Sequence, residues 1–246
     1  NSEIEGIDIM LAIDVSTSML AEDLKPNRLE AAKDVAAEFI NGRPNDNIGI
    51  TLFAGETFTQ CPLTVDHAVL LDMIHNIKCG LITDGTAVGM GIANAVTRLK
   101  DSKAKSKVII LLTDGTNNKG DISPMTAAEI AKSFGIRVYT IGVGTNGMAP
   151  YPYPVGNTVQ YVSMPVEIDE KTLTEIAGTT DGNYFRATSN SKLKEVYEEI
   201  DKLEKTKLNV KEYSKRDEEY HWFALAAFLC VLLEVLLRNS VLKKIP

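Results

Sequence analysis

The feature that most constrains this chain is a regular alternation of short apolar runs with segments of helical periodicity. The apolar runs are typical of strands buried on both faces of a parallel sheet, and they lie at 7–13, 48–53, 108–112 and 137–143. Apolar residues recur at helical spacing in the segments at 29–39, 65–77, 86–99, 126–134 and 191–203. Such alternation predicts right-handed βαβ units. We therefore expect an α/β fold: a doubly wound, mostly parallel sheet of about six strands flanked by helices.

The chain is expected to divide into one domain and a short tail. The domain covers residues 1–205, and its rhythm is broken only at 148–168, where prolines and an alternating pattern predict a β-hairpin insert. Residues 206–221 mix charges of both signs and are expected to form a juxtamembrane linker. Residues 222–237 are predicted to form a transmembrane helix, and 238–246 a basic cytoplasmic tail.

The predicted transmembrane segment is short but has suitable flanks. Residues 222–237 (WFALAAFLCVLLEVLL) are apolar except for Glu234, and a helix of this length spans about 24 Å of a hydrocarbon core of roughly 30 Å. Arg238 and two lysines follow without an acidic residue. The positive-inside rule then places the tail in the cytoplasm and the domain outside it.

Charge and cysteine content exclude several classes of partner and site. The net charge is −7 and no long Lys/Arg block occurs, so a nucleic-acid partner is not expected. Three cysteines without a CxxC motif or a Cys/His cluster give neither a disulfide framework nor a zinc site. An acidic chain of this kind indicates protein or cation partners.

Hydroxyl and carboxylate residues follow two of the predicted strands and open one predicted helix. Asp14, Ser16 and Ser18 come directly after the first strand, Asp114 follows the strand at 108–112, and Thr86 stands at the start of the helix at 86–99. Parallel strands bring such turns to one edge of the sheet. Ligands that are all oxygen suit Mg²⁺, with Mn²⁺ or Ca²⁺ also possible. A cation held mainly by hydroxyls retains an exchangeable position for a carboxylate of a partner protein.

Other interpretations of these residues remain open. Asp14 could simply cap a turn, Ser16 and Ser18 could satisfy backbone groups, and Asp114 could begin a type I turn with Gly115. A Mg²⁺-dependent phosphatase or another hydrolase of α/β fold also places aspartates at strand ends, although a haloacid dehalogenase-type site requires an aspartate where Ser16 stands. No Gly-x-Ser-x-Gly elbow supports a serine nucleophile. A passive scaffold is the third alternative, and we expect a binding domain without enzymatic activity.

The order Asp14-x-Ser16-x-Ser18, Thr86, Thr113-Asp114-Gly115 resembles the metal-ion-dependent adhesion site (MIDAS) of von Willebrand factor A domains. The phrases PNRLEAAK, LFAGETFTQCPLT and IILLTDGTNNKGD further resemble the BatA-type membrane proteins of aerotolerance operons. The resemblance implies that a metal ion is bound by Asp14, Ser16, Ser18, Thr86 and Asp114. It also implies a domain on the outer side of a bacterial inner membrane, other envelope proteins of the same operon as partners, and a MoxR-type AAA+ ATPase as a possible further partner.

Overall fold

The computed structural model describes residues 6–145, 147–156, 158–214, 225–229, 231, 234, 235 and 237. The chain divides into two units, 1–204 and 205–246. The first unit contains the sheet and all residues of the predicted metal site.

The main sheet has six strands in the order β3-β2-β1-β4-β5-β8. Its strands are β1 (Asp8–Asp14), β2 (Asn47–Phe53), β3 (Thr57–Thr64), β4 (Lys107–Thr113), β5 (Ile136–Val143) and β8 (Tyr184–Ala187). All neighbouring pairs are parallel except β2 with β3. The prediction of a mostly parallel α/β sheet of about six strands is confirmed, because the central apolar runs are buried on both faces.

Six α-helices accompany the strands within the described residues. They are α1 (Arg28–Asn41), α2 (His67–His75), α3 (Val88–Leu99), α4 (Pro124–Ser133), α5 (Glu170–Thr179) and α6 (Asn190–Ser214). Side-chain caps explain where two of these helices begin. Asn27 accepts a hydrogen bond from the Glu30 N–H at the start of α1, and Ser123 caps α4 just before Pro124. The last helix continues beyond the predicted end of its segment at 203 and into the predicted linker.

The prediction that Thr86 opens a helix is wrong by two residues, since α3 begins at Val88. Thr86 instead lies in the irregular segment that leads into the helix. Its N–H donates to Asn118 Oδ1 at 2.9 Å, and its carbonyl accepts from the Asn118 N–H at 2.9 Å. These bonds satisfy the backbone N–H and C=O of Thr86 outside the helix.

Two glycines let α3 approach its neighbours closely. A Cβ at Gly89 would lie 2.0 Å from the Ile122 carbonyl oxygen, and one at Gly91 would lie 2.7 Å from a ring carbon of Phe53. The helix therefore contacts both the sheet and the segment before α4 at distances that a side chain would prevent. This packing places the turn before α3, with Thr86, beside the ends of the strands.

A separate two-stranded sheet forms where the sequence predicts a hairpin insert. Strands β6 (Gly147–Val155) and β7 (Thr158–Val166) pair antiparallel. The Glu22 N–H donates to the Pro150 carbonyl at 2.8 Å, and the Tyr161 hydroxyl donates to Glu22 Oε1 at 2.9 Å. These two bonds attach the hairpin to the loop that precedes α1.

The predicted transmembrane segment 222–237 lies partly outside the described residues. Among the helices that are described, none combines the length and the apolar character needed to cross a membrane. The linker, the span and the basic tail therefore stay predictions. Of the cysteines within the described ranges, Cys61 and Cys79 are both free thiols.

Candidate metal centre

The sheet topology brings the two aspartates of the predicted site to one edge. Strand β1 lies between β2 and β4 and is parallel to both. Asp14 is the last residue of β1, and Asp114 follows directly on Thr113, the last residue of β4. Both carboxylates are buried, with Asp14 at 0% and Asp114 at 3% exposure.

Asp14 is fixed by two hydrogen bonds from uncharged donors. The Ser16 N–H donates to its Oδ1 at 2.9 Å, and the Thr113 hydroxyl donates to its Oδ2 at 2.6 Å. Within the described residues Asp14 forms no ion pair. The carboxylate is thus held in one orientation without a neighbouring cation.

Ser16 and Ser18 form a hydroxyl bridge to the second aspartate. Their Oγ atoms lie 2.9 Å apart, and the Ser18 hydroxyl donates to Asp114 Oδ1 at 2.7 Å. A 3₁₀ turn at Thr17–Leu20 folds this short segment back over the sheet edge. The structure therefore joins Ser16, Ser18 and Asp114 directly.

Thr86 reaches the same place from a third segment. A Cβ built on Gly115 would lie 3.1 Å from Thr86 Oγ1, so the Thr86 hydroxyl packs against the residue that follows Asp114. Asp84, two residues earlier, accepts hydrogen bonds from the N–H (3.0 Å) and the hydroxyl (2.7 Å) of Thr17. The loop before α3 is thereby attached to the loop after β1. All five predicted residues meet at this edge.

Sequence reasoning missed a buried ion-pair chain behind Asp114. Arg28, on the first turn of α1, donates Nη1 to Asp114 Oδ2 at 2.7 Å. Its Nε and Nη2 donate to the two oxygens of Asp23, each at 2.7 Å. Asp23 also accepts from the N–H of Thr145, at 2.7 Å. The motif PNRLEAAK contains this arginine, but nothing local shows that its partner lies 86 positions away.

The two site aspartates differ in electrostatic environment. Burial, and then the charge of Asp114, raise the pKa of Asp14 from 3.8 to about 7. Burial also raises the pKa of Asp114, although Arg28 partly offsets it. Burial acts on Asp23 in the same direction, but the bonds from Arg28 and Thr145 prevail and hold its pKa at about 2. Asp14 is therefore the carboxylate that most lacks a compensating positive charge.

This arrangement fits a hard divalent cation. The converging atoms are carboxylate and hydroxyl oxygens, the ligands that Mg²⁺, Mn²⁺ and Ca²⁺ accept. A cation would supply the positive charge that the buried Asp14 carboxylate lacks. Within the described part of the chain no three His, Cys, Asp or Glu side chains cluster as a metal site. That result agrees with a site in which three of the five ligands are hydroxyls.

Comparison with known proteins identifies relatives that cover most of this chain. A UPF0353 protein of Mycolicibacterium paratuberculosis is 32% identical over 203 residues, which cover 77% of this chain and 58% of that protein. The chain thus spans less than two thirds of that relative. A crystal structure of BatB from Bacteroides thetaiotaomicron is 34% identical, with a TM-score of 0.71 over 81% of this chain and 100% of the other.

Two further solved structures are similar to this chain. An aerotolerance-related membrane protein from Bacteroides fragilis is 32% identical, with a TM-score of 0.70 over 80% of this chain and 98% of the other. Proximal thread matrix protein 1 of the mussel byssus, with a zinc-occupied MIDAS motif, is 25% identical, with a TM-score of 0.63 over 81% of this chain and 46% of that one. The predicted resemblance to aerotolerance-related proteins is confirmed. Residues 8–199 match the von Willebrand factor type A domain, and the chain belongs to that family.

Proposed function

We propose that this chain is a membrane-anchored interaction domain that binds a carboxylate of a partner protein through a divalent cation. Asp14, Ser16, Ser18, Thr86 and Asp114 would hold the cation, which we take to be Mg²⁺, with Mn²⁺ or Ca²⁺ as substitutes. The observation that carries the proposal is the fully buried Asp14, whose neighbours are hydroxyl and N–H donors and whose pKa lies near 7.

Access to the site supports recognition of a second protein. The ligand side chains at the bottom are buried, whereas Ser18 and Gly115 at the rim are half-buried and Thr116 beside them is exposed. A bound cation would act as a Lewis acid that draws an acidic side chain of the partner to this rim. Because three of the five protein ligands are neutral, the cation would retain affinity for that carboxylate.

The cellular setting is proposed by extension from the relatives. One similar structure is named an aerotolerance-related membrane protein. We place this chain in a bacterial inner membrane, with its domain on the periplasmic side and with other envelope proteins of the same operon as partners. A MoxR-type AAA+ ATPase would be a further partner of the assembly.

The proposal assigns no catalytic residue. A Mg²⁺-dependent phosphatase of the haloacid dehalogenase type would need an aspartate at position 16, where this chain has serine. A hydrolase is therefore the alternative that the experiment must be able to detect.

Calorimetric titration with Mg²⁺ tests the site, and partner capture in Mg²⁺ or EDTA tests its role. Asp14→Ala and Asp114→Ala should lose both activities, and Thr86→Val should weaken metal binding less than partner capture. Asp101→Ala, an exposed aspartate at the opposite edge of the sheet, is the matched control. Unchanged Mg²⁺ affinity in Asp14→Ala would exclude the site, and phosphatase turnover that this variant abolishes would exclude a pure binding role.

The proposed orientation is tested separately in intact cells. Lys211→Cys should react with an impermeant thiol reagent because the positive-inside rule places the domain outside the cytoplasm. The native chain measures the background from its own cysteines. Labelling that requires an opened inner membrane would reverse the proposed orientation.

A further inference from the structure

The hairpin is an uncharged, exposed segment in an otherwise charged protein. Residues 147–166 contain no Asp, Glu, Lys, Arg or His, although 24% of the chain is charged. Along β7, Val159 is 57%, Tyr161 60% and Val162 48% exposed. Isolated two-stranded sheets have two open edges, and such edges pair readily with other strands.

The outer edge of β6 is closed to pairing. Val155 is paired with Thr158, and only two residues separate them in the sequence. A pair that closes so short a connection is hydrogen-bonded, and hydrogen-bonded and non-hydrogen-bonded pairs alternate from there. Pro150, Pro152 and Pro154 then occupy the positions whose backbone atoms point away from β7. Proline has no N–H to donate there. The Pro150 carbonyl, moreover, already accepts from the Glu22 N–H.

The outer edge of β7 is open. The residues opposite the three prolines are Val159, Tyr161 and Ser163, so their N–H and C=O groups point outward. In the part of the chain that the structure describes, none of these N–H groups has a hydrogen-bond partner. Charged residues and prolines usually prevent an edge strand from pairing with another strand. The run 158–164 contains neither.

We propose that β7 pairs antiparallel with β7 of a second copy of this chain. The three outward positions are symmetric about Tyr161, so a twofold axis there sets Val159 opposite the partner's Ser163. The outward N–H groups of Val159, Tyr161 and Ser163 then donate hydrogen bonds to carbonyl groups of the other copy. The product is a four-stranded sheet, β6-β7-β7-β6, whose two outer edges carry the prolines. Pairing therefore stops at a dimer.

Charge repulsion does not act at this contact, although each chain has a net charge of −7. The contact itself brings no two charged side chains of the hairpins together, because there are none. The dimer carries two metal sites in one assembly, and it would increase avidity for a partner that has two acidic sites. Pairing does not itself require the metal.

Sedimentation equilibrium of the full chain in density-matched detergent is the first test. The native chain should dimerise in Mg²⁺ and in EDTA alike. Ser163→Pro should weaken association at least about tenfold, because it removes an outward N–H and places a ring at the edge. Ser163→Ala, which keeps the N–H, should dimerise as the native chain does. Pro165 already occupies an equivalent outward position, so the hairpin tolerates proline there.

Cross-linking tests the register. In the proposed dimer Gln160 lies opposite the partner's Val162 at a non-hydrogen-bonded position, where Cα atoms are about 4.5 Å apart and within disulfide reach. A mixture of Gln160→Cys and Val162→Cys chains should form a disulfide dimer severalfold faster than either variant alone or the native chain. A native chain that stays monomeric at about 0.5 mM, or a mixture that cross-links no faster than the single variants, overturns the proposal. Neither result bears on metal binding.

Discussion

Substitution of Asp14 by asparagine should stabilise the metal-free protein while it abolishes metal binding. The pKa of Asp14 is raised from 3.8 to about 7 because the carboxylate is buried and lies near Asp114. Each pKa unit corresponds to about 1.36 kcal/mol, so keeping this group ionised on folding at pH 8 costs about 4 kcal/mol. Asparagine avoids that cost.

Weaker hydrogen bonds offset part of the stability that Asp14→Asn gains. The asparagine oxygen can still accept from the Ser16 N–H, but the bond from the Thr113 hydroxyl to a charged oxygen is lost. That loss costs about 2 kcal/mol. We therefore expect Asp14→Asn to raise the free energy of unfolding by about 2 kcal/mol in EDTA at pH 8. For a domain of this size the melting temperature should rise by about 4–8 °C.

The way stability depends on pH and on Mg²⁺ distinguishes this electrostatic explanation from an effect of side-chain packing. Since the folded-state pKa lies above the unfolded value, the folded protein binds the extra proton between pH 4 and 7, and native stability falls as the pH rises through that window. The advantage of the variant should therefore disappear near pH 4. With Mg²⁺ at 100 times its dissociation constant, the native chain should gain about 2.7 kcal/mol and the variant nothing.

Urea unfolding at pH 4, 6 and 8, in EDTA and in Mg²⁺, measures these quantities. Asp101→Ala again serves as the control and should show neither effect. An Asp14→Asn variant that unfolds at lower urea than the native chain in EDTA at pH 8, with an unchanged m-value, would refute the reasoning.

Three further substitutions, one of them with a matched control, test the packing and the buried ion pairs of the domain. Gly89→Ala should destabilise by more than about 2 kcal/mol because its Cβ would meet a carbonyl oxygen, whereas Gly178→Ala, with nothing within 4 Å, should be neutral or stabilising in thermal unfolding. Arg28→Lys should cost about 3 kcal/mol in urea unfolding, since lysine cannot serve both aspartates. Burial opposes ionisation of Glu204, but hydrogen bonds from Arg137 prevail and lower its pKa. Glu204→Gln should therefore cost about 3 kcal/mol at pH 7, and the difference should shrink as the pH falls through the acid range.

The α/β class and the position of the candidate site could be predicted from the sequence because both rest on short-range patterns. Apolar runs such as the one in β4 are continuous in the chain, and burial on both faces requires that composition. Asp14 and Asp114 follow their strands directly, so parallel pairing alone brings them to one edge. The hairpin could be predicted for the same reason, because each proline restricts its own backbone angles and lacks an N–H.

The electrostatic and packing details were decided only in three dimensions. Arg28 pairs with Asp114 because the fold brings the first turn of α1 to the residue that follows β4, and no local pattern marks that pairing. Thr86 stays outside α3 because Asn118, on a different loop, binds its backbone. These contacts join residues far apart in the chain, and their energies depend on burial that exists only once the sheet and helices have assembled. Periodicity in the sequence specifies which faces are buried, whereas the assembled fold determines which polar groups meet there.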